Sequence, residues 1–307
     1  MTVGLFAMLN AMSSSSLIVM LGLIAAVTWG IADFFAAKST HKVAPLLGVA
    51  LVNIFSTLLF GVIFAIFFRS HWVYSAMGFG YAALGGIILS LGAAIFFIAL
   101  KAGPVSIVSP LTSTYPLVAT ILAITAFQAV LSSSQLAGIL LTCVGIVLAA
   151  GLVSLRPAER KLAKGPMLAL VTAVFWGFGN IIIAQAIKRL DWQVVSLIAG
   201  TVGSLALLLL LAFTGSRQPM NWPQLKSGLR NKYILLAAVI QLLGACALDI
   251  GIARSTNVSG AVVIAMSATY PLLTVALVLR YTTEQFKFVP LAGGVIGVAG
   301  VVLLSLG

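Results

Sequence analysis

Of the 22 charged side chains in this 307-residue chain, only Asp33 and Asp249 lie inside long apolar stretches. If such a stretch crosses a bilayer, an ionisable group near its centre costs about 2.5–3.5 kcal/mol on insertion scales, so it ordinarily faces a cavity or a partner. Asp33 follows Trp29 by four residues, and helical spacing puts carboxylate and indole on one face. Trp176 and Asn180 repeat that spacing, with Thr172 one turn earlier. Two stripes of this kind could face each other across a cavity, where the carboxylate would bind a proton or a cationic group. The alternative places Asp33 near a helix end, paired with Lys38 or Lys101. Asp249 forms a stripe with Gln241 and Ala245; for it an ion pair with Arg254 is preferred to a proton or substrate role. Both acids are candidates for binding a coupling proton.

Tyr115-Pro116 and Tyr270-Pro271 form a second constellation. Each proline removes an N–H and crowds the carbonyl four residues earlier, at Thr112 and Ser267, so a helix kinks there. A carbonyl freed at membrane depth is tolerated beside polar side chains or a cavity. Ser113, Thr114, Ser267 and Thr269 supply such groups, and Tyr115 and Tyr270 are placed to line a path. With Trp29 and Trp176 they suggest aromatic walls able to hold apolar or cationic groups. The expected substrate cavity therefore comprises Trp29, Asp33, Tyr115, Trp176, Asn180, Gln241 and Tyr270.

Chemistry of other kinds finds little support. His41 and His71 fall in loops assigned to opposite faces, and Cys143 and Cys246 sit in separate apolar stretches, where they serve as small packing residues. No metal-spaced cluster, Walker loop or Gly-x-Ser-x-Gly elbow appears. No cofactor and no metal are expected. Gly293 and Gly297 form a small-xxx-small surface suited to close helix packing.

The elements that position these residues follow from composition. Hydrophobic residues make up 62% and charged residues 7% of the chain, and mean hydropathy is +1.20. Soluble domains carry about 25% charged residues; most of this surface must face lipid. Ten apolar segments stand out: 17–37, 45–68, 77–100, 104–127, 135–155, 166–187, 193–213, 233–253, 258–279 and 288–306. Each is long enough to span a hydrocarbon core as a helix, which takes about 20 residues. The first 16 residues hold no Lys or Arg, unlike the basic start of a cleavable signal, so 17–37 is expected to be a true first helix. The net charge of +12 sits in the short connections, where it sets orientation and meets anionic headgroups rather than nucleic acid.

Ten helices put both termini on one face. That face receives Arg69, Lys188, Arg189 and Arg254, 4 basic residues, and the other receives 13, among them Lys38, Lys42, Lys101, Arg156 and Arg160. Basic residues in short loops are retained in the cytoplasm. The termini are therefore expected outside and the linker Arg156–Gly165 inside.

The sequence also repeats. Val27-Thr28-Trp29-Gly30 returns as Val174-Phe175-Trp176-Gly177, an offset of 147, and Ser113-Thr114-Tyr115-Pro116-Leu117 returns as Ala268-Thr269-Tyr270-Pro271-Leu272, an offset of 155. Ala137-Gly138 and Gly145-Ile146-Val147-Leu148 return as Ala292-Gly293 and Gly300-Val301-Val302-Leu303 at that same offset. Two units of five helices, 17–155 and 166–306, are thus joined by a polar linker at 156–165. Because five is odd, the second unit enters from the opposite side and the copies are inverted. Inverted repeats around a midplane site are the common plan of secondary transporters.

These features together resemble the drug/metabolite transporter superfamily, specifically EamA-type permeases, over nearly the whole chain. The resemblance implies an inner-membrane permease, typically an exporter of small metabolites. It also implies a central cavity lined by the first, third and fourth helices of each unit, with the fifth helices peripheral. Two departures accompany it. Family units often carry Gly-Glu before the fifth helix; Glu284 fits that place, whereas the first unit has Ala129. Many relatives also start inside, against the charge count here.

The chain therefore reads as an all-α integral membrane protein of ten transmembrane helices in two inverted five-helix repeats. Its expected function is secondary transport, the export of small organic metabolites by alternating access, with a proton as candidate coupling ion. A passive channel, a membrane-embedded enzyme or an assembly factor is the alternative. The expected partners are a small-molecule substrate and membrane lipids, with no nucleic acid, and a homo-oligomer is left open.

Overall fold

The computed structural model describes residues 14–68, 74–127, 132–149, 164–215, 222–255, 263–264, 266–283 and 288–306. Among these the first unit supplies α1 (Ser14–Thr40), α2 (Pro45–Phe67), α3 (Ala76–Ala102), α4 (Val105–Thr112), α5 (Tyr115–Phe127) and α6 (Ser133–Ala149). The second supplies α7 (Lys164–Ile187), α8 (Trp192–Gly215), α9 (Trp222–Leu229), α10 (Lys232–Arg254), α11 (Pro271–Tyr281) and α12 (Phe288–Leu306). No strand occurs among the described residues. Glu284, Ala129, His71 and most of the linker lie outside them.

Local chemistry sets the boundaries. The Ser75 hydroxyl accepts from the Gly78 N–H at 3.2 Å to cap α3, and the Asn231 side chain accepts from the Tyr233 N–H at 3.0 Å to cap α10. Pro45 opens α2 and Pro271 opens α11, positions where the missing N–H has no helical partner to lose. The turn after Lys101 is very short: α3 ends at Ala102 and α4 starts at Val105.

Among the described residues six helices, α1, α2, α3, α7, α8 and α10, are long and apolar enough to cross a membrane. The segment expected at 104–127 is instead broken. α4 stops at Thr112, Ser113 and Thr114 form a turn, and α5 starts at Tyr115. In the second unit Ala268–Tyr270 form the matching turn before Pro271. Local hydroxyls occupy the carbonyls around both breaks: Ser113 donates to Pro110 O at 2.8 Å and Thr114 to Leu111 O at 2.7 Å, as Ser267 does to Ile264 O and Thr269 to Met266 O, both at 2.7 Å. Irregular backbone at depth thus keeps its polar groups satisfied. The short helix α9 was not expected from the apolar segments. It carries exposed Trp222 and Lys226 and sets Gly228 against Leu51 of α2.

The two units interlock. The first long helix of each packs on the third of the other, α1 on α10 and α7 on α3, while the second helices α2 and α8 meet each other. The fifth helices α6 and α12 pair along one side. Outward faces carry unpaired apolar side chains, such as Leu58, Val62 and Ile66 at helical spacing on α2, the surface a lipid environment covers.

Glycines fix these crossings. A Cβ added at Gly145 of α6 would stand 2.2 Å from the Gly297 nitrogen of α12, and one at Gly300 would stand 2.5 Å from Thr142 Oγ1. The stripe around Gly293 and Gly297 is therefore a backbone-to-backbone seam. Gly145→Val is expected to destabilise the protein by about 1–3 kcal/mol through overpacking. Thermal melting in detergent checks this; an unchanged midpoint would show that the seam can open freely.

Contacts between helix ends group several basic residues on one side. Lys38 Nζ sits 4.5 Å from the Phe34 ring and 5.7 Å from that of Tyr233 at the start of α10, and Tyr281 packs on Phe34 at 6.1 Å. Gly103 meets Gly165 at the start of α7. One face of the bundle thus gathers Lys38, Lys101, Lys164, Lys232 and Arg280. At the other, Gly78 meets Arg189 and Leu190.

Candidate functional site

The repeated Trp-Gly and Tyr-Pro motifs build one device twice. Gly30 lies so close to the second unit that an added Cβ would stand 2.8 Å from the Tyr270 carbonyl oxygen; for Gly177 the same distance, 2.8 Å, separates it from that of Tyr115. The adjoining rings meet edge to face, Trp29 on Tyr270 with centroids 6.4 Å apart at 85°, and Trp176 on Tyr115 at 6.4 Å and 81°. Each indole then lies over a glycine of a third helix, Trp29 over Gly244 and Trp176 over Gly92. Only glycine leaves room for that approach.

The tyrosines join the two broken fourth helices reciprocally. The Tyr115 hydroxyl shares a hydrogen bond with Ser267 Oγ at 2.8 Å and donates to Ile264 O at 3.2 Å. The Tyr270 hydroxyl shares one with Thr112 Oγ1 at 2.6 Å and lies 3.4 Å from Ser109 O. Both rings are almost completely buried.

Between the two braces lies a cavity of about 270 Å³. The structure brings Trp29, Asp33, Tyr115, Trp176, Asn180, Gln241 and Tyr270 to its wall, and Asp249 joins them. Asp33 is 6% exposed and accepts from Ser109 Oγ at 3.4 Å. Asp249 is 9% exposed and accepts from Ser196 of α8. Neither forms an ion pair with Lys38, Lys101 or Arg254. Lys38 and Arg254 sit in the last turns of the helices that carry Asp33 and Asp249, more than a turn beyond the carboxyls, and Lys38 is held over aromatic rings instead. Asn180 donates to Trp176 O of its own helix at 2.8 Å. The Trp29 indole N–H is buried with no hydrogen-bond partner among the described residues. Pro116 and Pro271 lie just behind the two tyrosines, at the starts of α5 and α11.

The second helices also line the cavity, beyond the first, third and fourth helices implied by the resemblance. Asn53, Ser56 and Thr57 of α2 and Ser196 of α8 are on its wall. Asn53 Nδ2 donates to Ser90 Oγ at 2.9 Å, Ser56 Oγ to Ala238 O at 2.8 Å, and Thr57 shares a bond with Ser204 at 3.2 Å. The signal for them was present: Asn53, Ser56 and Thr57 stand at i, i+3 and i+4 in an otherwise apolar span.

Comparison with known proteins decides the family. The model of the EamA-like transporter family matches this chain twice, over residues 16–151 and 163–306. The chain belongs to the EamA-like transporter family. It is 26% identical over 216 residues to an uncharacterized transporter of Archaeoglobus fulgidus, covering 70% of this chain and 72% of that protein. An uncharacterized protein of Methanocaldococcus jannaschii is 31% identical over 130 residues, which is 42% of this chain and 93% of that protein. A crystal structure with 19% sequence identity superposes with a TM-score of 0.65, covering 95% of this chain and 98% of the other, and shows the same fold. As an EamA-like protein this chain is a multi-pass membrane transporter of small molecules. Its all-α architecture of two repeats fits that family.

Proposed function

We propose that this EamA-like transporter is a secondary carrier that exports small organic metabolites by alternating access through the central cavity. The observation that carries this reading is the cavity's position between two reciprocal Trp-Tyr-Gly braces, each joining one repeat to the other. Such an arrangement lets one repeat rock against the other around a fixed site, the motion that inverted-repeat carriers use. Trp29, Asp33, Tyr115, Trp176, Asn180, Gln241 and Tyr270 form the substrate wall in this reading. Asp33 and Asp249 bind the coupling proton, because a buried carboxylate without a cation is costly until a proton or a cationic group joins it. No ATP-binding motif is present in the sequence, so a gradient or a separate subunit supplies the energy, a gradient in the carrier proposed here. The wall combines hydroxyls, amides and aromatics with two separated carboxylates, Asp33 and Asp249, an arrangement that suits holding a solute.

The test compares metabolites released by cells that overproduce the protein with those of cells that lack it. A solute whose release rises and falls with the protein is expected. Proteoliposomes loaded with that solute should lose it faster when the opposite compartment is made acid. Flux indifferent to the pH gradient would remove proton coupling, and unchanged release profiles would remove the function.

Orientation follows the charge bias of 13 basic residues to 4. In the bacterial or archaeal inner membrane, the cytoplasmic face is then the one bearing Lys38, Lys101 and the linker, and both termini are outside. Single cysteines at Arg160 and Gly307 are expected to label from inside and outside respectively. A cytoplasmic C-terminus with an external linker would reverse the assignment.

A further inference from the structure

The repeat makes the two walls of the cavity comparable position by position, and their chemistry differs. Gly92 and Gly244 each receive the indole of the opposite unit, so the third helices align with an offset of 152. At that offset Gln241 answers to Leu89, Ala245 to Ala93 and Asp249 to Phe97, while Asp33 answers to Asn180 at the offset of the first helices. All eight side chains line the cavity. Both carboxylates and the longest amide therefore stand on the α1/α10 wall, and the α7/α3 wall is neutral. No Lys, Arg or His lines the cavity among the described residues.

The two acids occupy different depths. Gly244 faces Trp29 and Gly251 faces Leu21, which sets α1 and α10 antiparallel and places Asp249 opposite the turn around Ile24 and Ala25. At 1.5 Å per residue, Asp33 and Asp249 are about 13 Å apart along the axis. Gln241 lies near the level of Asp33. Each acid has a single hydroxyl as its side-chain partner, Ser109 or Ser196.

We propose that the carried solute is an organic monocation, an ammonium on a short apolar or aromatic body, and that Asp33 and Asp249 hold its charge in turn along the α1/α10 wall. This deepens the carrier reading above and rests on it. A bare metal cation is a poor fit, since hard cations take six or more oxygen ligands and each station offers one carboxylate and one hydroxyl, with the Gln241 amide added near Asp33. An ammonium group needs fewer partners, and Trp29, on the wall that carries both acids, is a ring of the kind that adds cation–π attraction. An anionic solute would meet two carboxylates and no countercharge. The neutral α7/α3 wall is left to hold the apolar body.

The test is isothermal titration of the full-length protein in lipid nanodiscs with three probes of one shape: phenethylamine, phenethyl alcohol and 3-phenylpropionate. The amine is expected to bind saturably, about tenfold or more tighter than the alcohol, the difference that a hydrogen bond to a charged group makes. Asp33→Asn and Asp249→Asn should each weaken the amine by about tenfold and change the alcohol much less. That selectivity separates lost charge from lost fold, and Asp33→Glu should keep the preference for the amine. Equal or tighter binding of the alcohol or the carboxylate would overturn the inference, as would variants that weaken all three probes alike. If the neutral or anionic probe binds and Ala93→Trp blocks it, the carrier reading stands while the cation inference falls. If no probe binds and Ala93→Trp leaves solute release intact, both fall.

Discussion

Asp33→Asn is expected to lower solute flux in proteoliposomes by about tenfold to a hundredfold, the range for losing a hydrogen-bonded charge, and to abolish the response to a pH gradient. The melting temperature should stay near the wild-type value. Asn180, the repeat twin of Asp33, already places an amide beside a tryptophan in the same helical register. An amide oxygen at position 33 can still accept from Ser109, as the carboxylate does at 3.4 Å. The reading of Asp33 as partner of Lys101 makes the opposite forecast, a weakened fold rescued by a neutral residue at 101. Since the carboxyl is bonded to Ser109 and Lys101 is exposed, Lys101→Gln should change neither flux nor melting. Near-normal, pH-responsive flux in folded Asp33→Asn would remove Asp33 from the mechanism.

Gly30→Leu and Gly177→Leu should each destabilise the protein by about 1–3 kcal/mol or more, because the new side chain enters a filled space. The first added atom meets the backbone carbonyl of a tyrosine at 2.8 Å in both cases, and backbone at the start of α5 or α11 cannot swing aside as a flexible side chain could. The twofold relation between the repeats adds a sharper expectation: two substitutions 147 positions apart should have the same sign and similar size. Thermal melting of both variants measures it. One variant melting like wild type beside a strongly destabilised twin would show that the two braces are not mechanically equivalent.

Much of this was legible in the sequence, for a reason that can be stated. A duplicated chain that folds twice must place equivalent residues in equivalent contacts. Trp29 with Trp176 and Tyr115 with Tyr270 could therefore be read as pairs, and Asp33, Asn180 and Gln241 could be put on their faces by helical spacing alone. The expected all-α membrane class follows from the apolar lengths, and among the described residues six of the ten segments form single membrane-length helices. The partners of those residues were less legible. Whether Asp33 meets Ser109 or Lys101, and Asp249 meets Ser196 or Arg254, depends on the rotation and depth of one helix against another. Sequence periodicity fixes neither. The expectation of a mere kink at Pro116 and Pro271 also understated the break, because neighbouring hydroxyls at Ser113, Thr114, Ser267 and Thr269 bond the carbonyls of a full turn. The second helices were passed over although Asn53, Ser56 and Thr57 share a face, since a polar stripe on a single helix does not say whether it faces a cavity or another helix.

That solute passes through the space between the repeats can be tested by filling it. Ala245 of α10 lines the cavity beside Gln241 and Asp249, and a tryptophan there would occupy much of about 270 Å³. The measurement is solute release from cells carrying wild-type protein or Ala245→Trp, inserted in the membrane in equal amounts and melting alike. Release by the filled variant is expected to fall to the level of cells without the protein. Release at the wild-type rate from a folded, inserted Ala245→Trp protein would contradict it.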